Sequence, residues 1–218
     1  MAEAYRRHDL LDVAPAAWAA ALAERPDLDG LAPVAEWVGR GHPVIVRRRH
    51  PGEARERVPV GLPLPPRDGK RRIGLAVPPE AVRPRAPVRL AEASGAAPDA
   101  WAATIAAVVA LGARVGAAPC LFGGLLWQHL TGLPYLSETS DLDLLWPSES
   151  LDRPALLSGL AAIEARAPMR LDGEILLPDG GGVNWREWHG AGPGETVLVK
   201  SLDRVALRDA DAIHGGIR

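Results

Sequence analysis

One cysteine, Cys120, is present, so no disulfide can form within the chain. Its place in an apolar run beside a glycine turn predicts a buried, inert thiol. None of the 6 histidines stands in a His-x-His or His-Glu-x-x-His spacing. With a lone cysteine, that argues against a structural zinc site. Ser140 and Ser201 lack a recognisable His/Asp arrangement, which argues against a serine hydrolase. Positive charge is not in excess: 25 Lys and Arg face 27 Asp and Glu. The net charge of −2 supplies no general field for non-specific nucleic-acid binding, and basic character is confined to local patches. No apolar run is long enough to span a membrane. The longest, from Trp101 to Val115, is interrupted by Gly112 and Arg114. Residues 1–8 carry charges of both signs and no apolar stretch, so they do not read as a signal peptide. Together these absences predict a soluble cytoplasmic protein that engages neither membrane nor nucleic acid.

What is present fits one large domain or two small ones. The chain has 218 residues, of which 47% are hydrophobic and 24% charged, enough to bury a substantial core. In the first half, residues 8–13 read as a strand and 14–23 as a helix with Pro15 in its first turn. A short helix is predicted over 31–38. Residues 43–49 form a β-branched strand that turns abruptly basic, and 58–66 and 71–77 read as further strands. Residues 1–85 are therefore expected to be a small α+β domain. The proline-rich stretch from Val82 to Pro98 contains the best linker candidate, placed at 86–98.

Residues 99–218 read as the second domain. Asp99 is positioned to cap a helix through Ala110. A short strand at 119–122 leads into Gly123-Gly124 and a helix over 125–130. An acidic strand over 140–146, an amphipathic helix over 154–165 and a strand over 169–177 follow. The turn at 179–182 predicts a hairpin with its second arm over 183–188, and a last helix is expected over 202–207.

The chemistry concentrates in this second half. Asp141 and Asp143 are two apart, which on a strand puts both carboxylates on one face, roughly 6–7 Å apart along the backbone. Such a pair repels itself unless cations hold it, and Mg²⁺ prefers carboxylate oxygens, water and phosphate. Gly123-Gly124 permits close backbone approach, and the helix behind it offers N–H groups to a polyphosphate. Asp172 and Glu174 share a face of the next strand. One of them is the candidate third metal ligand or general base, with Glu174 the slightly favoured inward residue. Lys200, Ser140, Arg47 and Arg48 complete the substrate-binding candidates, the arginines because their forks suit phosphate or an acidic partner. A solvated strand end is an equally open reading of Arg47-Arg48-Arg49. Trp185 reads as core, between Asn184 and Arg186 on the expected hairpin arm.

A glycine turn opening a helix, an Asp-x-Asp strand and a further acidic strand together resemble the DNA polymerase beta-type nucleotidyltransferases. The Gly-Gly-Leu-Leu-Trp loop departs from the Gly-Ser of that broad group. It resembles a narrower family, the phosphoribosyl-dephospho-CoA transferases of malonate decarboxylase. The likeness includes Arg7-His8-Asp9-Leu10-Leu11, the 43–48 strand, Val60-Gly61-Leu62, Arg72-Ile73-Gly74-Leu75 and the 122–127 loop. It continues through the 140–145 strand, Asp172-Gly173-Glu174, residues 183–187 and Val199-Lys200-Ser201. The resemblance implies an α+β chain whose second domain is nucleotidyltransferase-like, with a mixed sheet and flanking helices. It implies transfer of the prosthetic group from 2′-(5″-triphosphoribosyl)-3′-dephospho-CoA to a serine of the decarboxylase's acyl carrier protein subunit. Diphosphate would leave, Mg²⁺ would assist, and Asp141 and Asp143 would be the catalytic aspartates. Two other readings stay open: an ATP-dependent nucleotidyltransferase acting on a small molecule or protein, and a non-catalytic carrier-binding module.

Overall fold

A computed structural model describes residues 5–147 and 151–213; residues 1–4 of the charged N-terminal stretch lie outside them. The chain is α+β and divides into two compact units, Met1–Pro87 and Val88–Arg218. No helix among the described residues is long and apolar enough to cross a membrane.

In the first unit, strands β1 (Leu10–Val13), β2 (Val44–Val46), β3 (Val58–Pro63), β4 (Arg72–Val77) and β5 (Val82–Arg85) form one sheet. Its order is β4-β3-β2-β1-β5, and every pairing is antiparallel. Helices α1 (Pro15–Ala23) and α2 (Ala32–Ala35) accompany it. Buried Trp18 and Trp37 anchor these helical segments, and their indole N–H groups donate to Val34 O at 3.0 Å and Pro43 O at 2.8 Å. Residues 82–85, within the proline-rich stretch, are a strand. It lies at the sheet edge, where the missing N–H of Pro84 is tolerated.

Strand β2 ends before the arginines, and Arg47 is built into the fold. Its guanidinium donates to Val60 O and Leu75 O, both at 3.2 Å, and clamps the Glu53 carboxylate. The facing Gly61 and Gly74 make room for it: a Cβ on Gly74 would stand 2.8 Å from Arg47 Nε. Burial alone would raise the Glu53 carboxyl, but the hydrogen bonds from Arg47 and the His50 N–H outweigh it and hold the group below its ordinary value.

The second unit contains α3 (Ala102–Val115), β6 (Cys120–Leu121), α4 (Gly123–Thr131), β7 (Leu142–Pro147) and α5 (Arg153–Glu164). Strand β8 (Leu171–Leu176), β9 (Gly182–Asn184), α6 (Trp185–Gly190), β10 (Thr196–Lys200) and β11 (Val205–Asp209) follow. The six-stranded sheet has the order β11-β10-β9-β8-β7-β6. It is mixed, with β7 and β8 parallel across the α5 connection and the other pairings antiparallel. Leu142, Leu144, Trp146, Leu171, Ile175 and Val183 are buried on one face. Helices α3 and α5 pack together.

Four local expectations are corrected. The stretch placed in a linker is built into this unit: Val88, Leu90 and Ala93 are buried, and Leu90 N–H donates to Pro119 O at 2.9 Å. Asp99 starts a 3₁₀ turn without capping by its side chain, and α3 runs on to Val115, where Gly116 takes a left-handed φ of 76°. The second hairpin arm is only three residues long, because the Asn184 side chain caps α6 by accepting from Arg186 N and Glu187 N. The last predicted helix is β11. Ser201 N donates to Arg204 O at 2.8 Å, closing a tight turn that returns the chain along β10. A helix that short has little to offset its nucleation cost.

Candidate active site

The face of the second sheet opposite the apolar layer carries the acids. Alternation along β7 places Asp143 there, with Asp141 one residue before the strand. Parallel register sets Asp143 directly opposite Asp172 on β8, and Leu145 opposite Glu174. Neighbouring strands lie about 4.8 Å apart, so Asp143 and Asp172 are immediate neighbours. Glu174 sits two residues further along, only 6% exposed, with Lys200 Nζ 3.9 Å from its carboxylate. Gly182 leaves the space this carboxylate occupies, since a Cβ there would come within 2.3 Å of Glu174 Oε2.

The glycine turn meets Asp143. Gly123 has φ +68°, and a Cβ built on it would lie 1.7 Å from Asp143 Oδ2. Only glycine permits both the left-handed backbone and this approach. Phe122 N donates to Asp143 O at 3.3 Å, joining the turn to β7. Among the described residues no side-chain cap hydrogen bond closes the start of α4. Gly124 is different: its φ is not left-handed, and an added Cβ would meet only the Leu136 Cδ2 methyl at 3.0 Å.

A second layer holds the acids in place. Asn184 Nδ2 donates to Asp172 Oδ1 at 2.8 Å, and Gly173 N donates to the same oxygen at 2.9 Å. Arg186 grips both oxygens of Glu164 and donates to Leu171 O at 2.8 Å. Its guanidinium is held above its ordinary value, first by the Glu164 hydrogen bond and, more weakly through space, by Asp172 and Asp141. The Glu164 carboxyl is correspondingly lowered, chiefly by Arg186. Ser140 shapes the approach to β7: its Oγ accepts from Ser137 N at 2.9 Å. Gln128 on α4 fixes the loop beyond the helix by accepting from Tyr135 N and Leu136 N.

The structure therefore sets Gly123 against Asp143 and Asp143 beside Asp172, with Asp141 two residues before Asp143 and with Glu174 and Lys200 as a neighbouring pair. Arg47 and Arg48 belong to the first unit; Arg47 is committed to Glu53, and Arg48 is exposed. Trp185 is core, its indole N–H donating to Leu171 O at 3.1 Å. Asn184 and Glu164 are the residues whose roles sequence reasoning missed. The Asn184-x-x-Glu187 spacing is a helix-start signal that identifies the first of them. Cys120 is buried, and desolvation pushes its thiol up, as suits an inert side chain. A cleft of ≈ 310 Å³, lined by Ala91, Ser94, Asp99 and Ile105 among others, contains none of the site residues.

Among the described residues no three His, Cys, Asp or Glu side chains converge as a ready-made metal cage. The donor set is carboxylate oxygen, and Mg²⁺ ordinarily takes one or two carboxylates and fills its remaining positions with water and substrate phosphate. The Asp141/Asp143 pair fits that requirement.

Comparison with known proteins shows the family. The family described as phosphoribosyl-dephospho-CoA transferase MdcG C-terminal domain matches residues 89–211, and the corresponding N-terminal domain matches residues 6–88. A phosphoribosyl-dephospho-CoA transferase of Bradyrhizobium diazoefficiens is 45% identical over 212 residues, covering 96% of this chain and 92% of that relative. One from Xanthomonas campestris pv. campestris is 40% identical over 182 residues, covering 81% of this chain and 83% of that relative. No solved structure matches. With both domain families spanning residues 6–211 and these relatives aligned over most of their length, the chain belongs to the phosphoribosyl-dephospho-CoA transferase family of enzymes.

Proposed function

We propose that this enzyme transfers the phosphoribosyl-dephospho-CoA group from 2′-(5″-triphosphoribosyl)-3′-dephospho-CoA to a serine of the acyl carrier protein subunit of malonate decarboxylase. One observation carries the reading to a mechanism. The Asp143 carboxylate occupies the space beside Gly123, which supports reading the glycine turn and the acid pair as a single site. Family membership supplies the class of group transferred.

The serine oxygen attacks the α-phosphorus of the triphosphate. A P–O bond to the carrier forms, the bond to the bridging oxygen breaks, and diphosphate departs with that electron pair. Mg²⁺ held by Asp141 and Asp143 would neutralise charge on the attacking and leaving oxygens. The chain's own contribution is placement. Gly123 lets the backbone approach the polyphosphate, and the first turn of α4 directs its positive end there. Asp172, beside Asp143, is the candidate to complete the carboxylate set or take the serine proton. Lys200, tethered near Glu174, is a candidate cation for the departing diphosphate. Positioning and charge supply most of the rate in such a displacement. We place the reaction in the cytoplasm.

The test is to incubate the protein with Mg²⁺, apo carrier protein and either the triphosphoribosyl precursor or ATP, then weigh the carrier. A mass gain only with the precursor supports the proposal. A gain only with ATP replaces the donor, and carrier binding without any gain reduces the protein to a docking module.

A further inference from the structure

Asn184 stands at the junction between β9 and α6. Its Oδ1 accepts from Arg186 N at 3.0 Å and Glu187 N at 3.3 Å, which caps α6. Its Nδ2 donates 2.8 Å to Asp172 Oδ1. One planar amide thus ties a helix start to a carboxylate on the neighbouring strand. The capping bonds orient the amide, because the oxygen must face the helix and the nitrogen must then face β8. Asp172 is further held by the Gly173 N–H on the same oxygen, which leaves Oδ2 as the oxygen not engaged by either donor. Asp172 is the register partner of Asp143.

We infer that Asn184 is a positioning residue: it locks the Asp172 carboxylate so that Oδ2 is presented toward the Asp141/Asp143 site. The inference rests on the proposed metal-assisted transfer. Asn184 acts through Asp172. Arg186, two residues further along and held by Glu164, also donates to Leu171 O at the start of that strand. Replacing Asn184 by serine separates its two duties. Serine caps a helix about as well as asparagine, but it is too short to reach Asp172. Groups that orient ligands typically change metal affinity or activity by about 10–100-fold when removed.

The experiment measures Mn²⁺ binding to the full chain by electron paramagnetic resonance, together with melting temperature and donor KM and kcat, for wild type, Asn184→Ser, Asn184→Ala, Asp172→Asn and Asp143→Asn. The expected result is that Asn184→Ser melts near wild type and keeps its donor KM. Its Mn²⁺ affinity and kcat should fall about tenfold or more, as they do in Asp172→Asn. Asn184→Ala should match these losses and melt lower, having lost the cap as well. If Asp172→Asn is impaired while Asn184→Ser binds Mn²⁺ and turns over like wild type, the locking role is overturned and the metal site stands. If Asp172→Asn is itself silent while Asp143→Asn loses Mn²⁺, Asp172 is outside the site and the locking role falls with it. If wild type binds no Mn²⁺, or Asp143→Asn binds it normally, the metal-site reading itself has failed.

Discussion

Gly123→Ala is the sharpest perturbation available. Gly123 has a φ of +68°, and a left-handed conformation costs an L-residue roughly 1–2 kcal/mol. That alone lowers the melting point of a domain this size by roughly 3–10 °C, against a total stability of about 5–15 kcal/mol. The protein should therefore still fold. The steric term is aimed elsewhere. The new Cβ would lie 1.7 Å from Asp143 Oδ2 and 2.9 Å from Asp143 Cβ, so the carboxylate must retreat by more than an ångström. A misplacement of that size at a reacting centre costs on the order of 10²-fold in rate. Transfer should thus fall about a hundredfold, equivalent to ~2.7 kcal/mol of transition-state stabilisation. Gly124→Ala is the control. Its Cβ meets only the end of Leu136 at 3.0 Å, and alanine in a helix is about 0.5–1 kcal/mol better than glycine. The assay pairs thermal denaturation with single-turnover mass gain of the carrier protein. Parental transfer by Gly123→Ala, or equal damage from Gly124→Ala, would refute the claim that glycine turn and acid pair are one site.

Asp141→Asn and Asp143→Asn should each abolish transfer while leaving the circular dichroism spectrum intact; turnover retained in both removes the metal-site assignment. Arg47→Lys should lose the fork on Glu53 and the carbonyl contacts, costing about 1–3 kcal/mol of stability with donor KM unchanged. A raised KM at unchanged melting point would instead give Arg47 a binding role. Glu164 provides the pH dependence. Its carboxyl is held below its ordinary 4.5, chiefly by Arg186, so its stabilising effect is fully present above that value and is lost as pH falls through the lowered one. Glu164→Gln should be less stable than wild type at neutral pH. The gap in melting temperature should close as pH falls below 4.5, and a gap independent of pH contradicts the ion-pair account.

Much of the second unit is legible because its signals are local. Leu142, Asp143 and Leu144 alternate as a half-buried strand must, and Gly123 announces a turn into a helix. Two of the misread elements were decided by partners far along the chain or by a single side chain. Residues 205–209 become a strand because β10 offers a ladder, and 185–190 a helix because Asn184 caps it. The Gly61/Gly74 pair looks like two weak spots in two strands until their register shows them facing each other beneath Arg47. The arginine triplet likewise could not be divided by sequence into the exposed Arg48 and its two engaged neighbours, because Glu53 and the carbonyls that claim Arg47 and Arg49 are brought to them only by the fold.

The choice between Asp172 and Glu174 shows where that limit lies. Period-2 alternation puts both on one face, and no property of strand β8 alone separates them. Register with β7 does. It sets Asp172 against Asp143 and Glu174 against Leu145. A carboxylate beside another carboxylate is electrostatically costly and needs either a cation or strong hydrogen-bond donors; Asp172 has the Asn184 amide and the Gly173 N–H. A carboxylate beside leucine is costly for a different reason, desolvation, and needs a countercharge; Glu174 has Lys200 at 3.9 Å. The two acids are thus equipped for different work. Asp172 is oriented by two donors beside a second carboxylate, an arrangement suited to gathering a cation and a polyphosphate. Glu174 is braced to hold Lys200 at the rim of that site, so Glu174→Gln should raise donor KM more than it lowers Mn²⁺ affinity, the reverse of Asp172→Asn, in the same binding and kinetic measurements. Equal effects of the two substitutions on both quantities would show that register does not divide their roles.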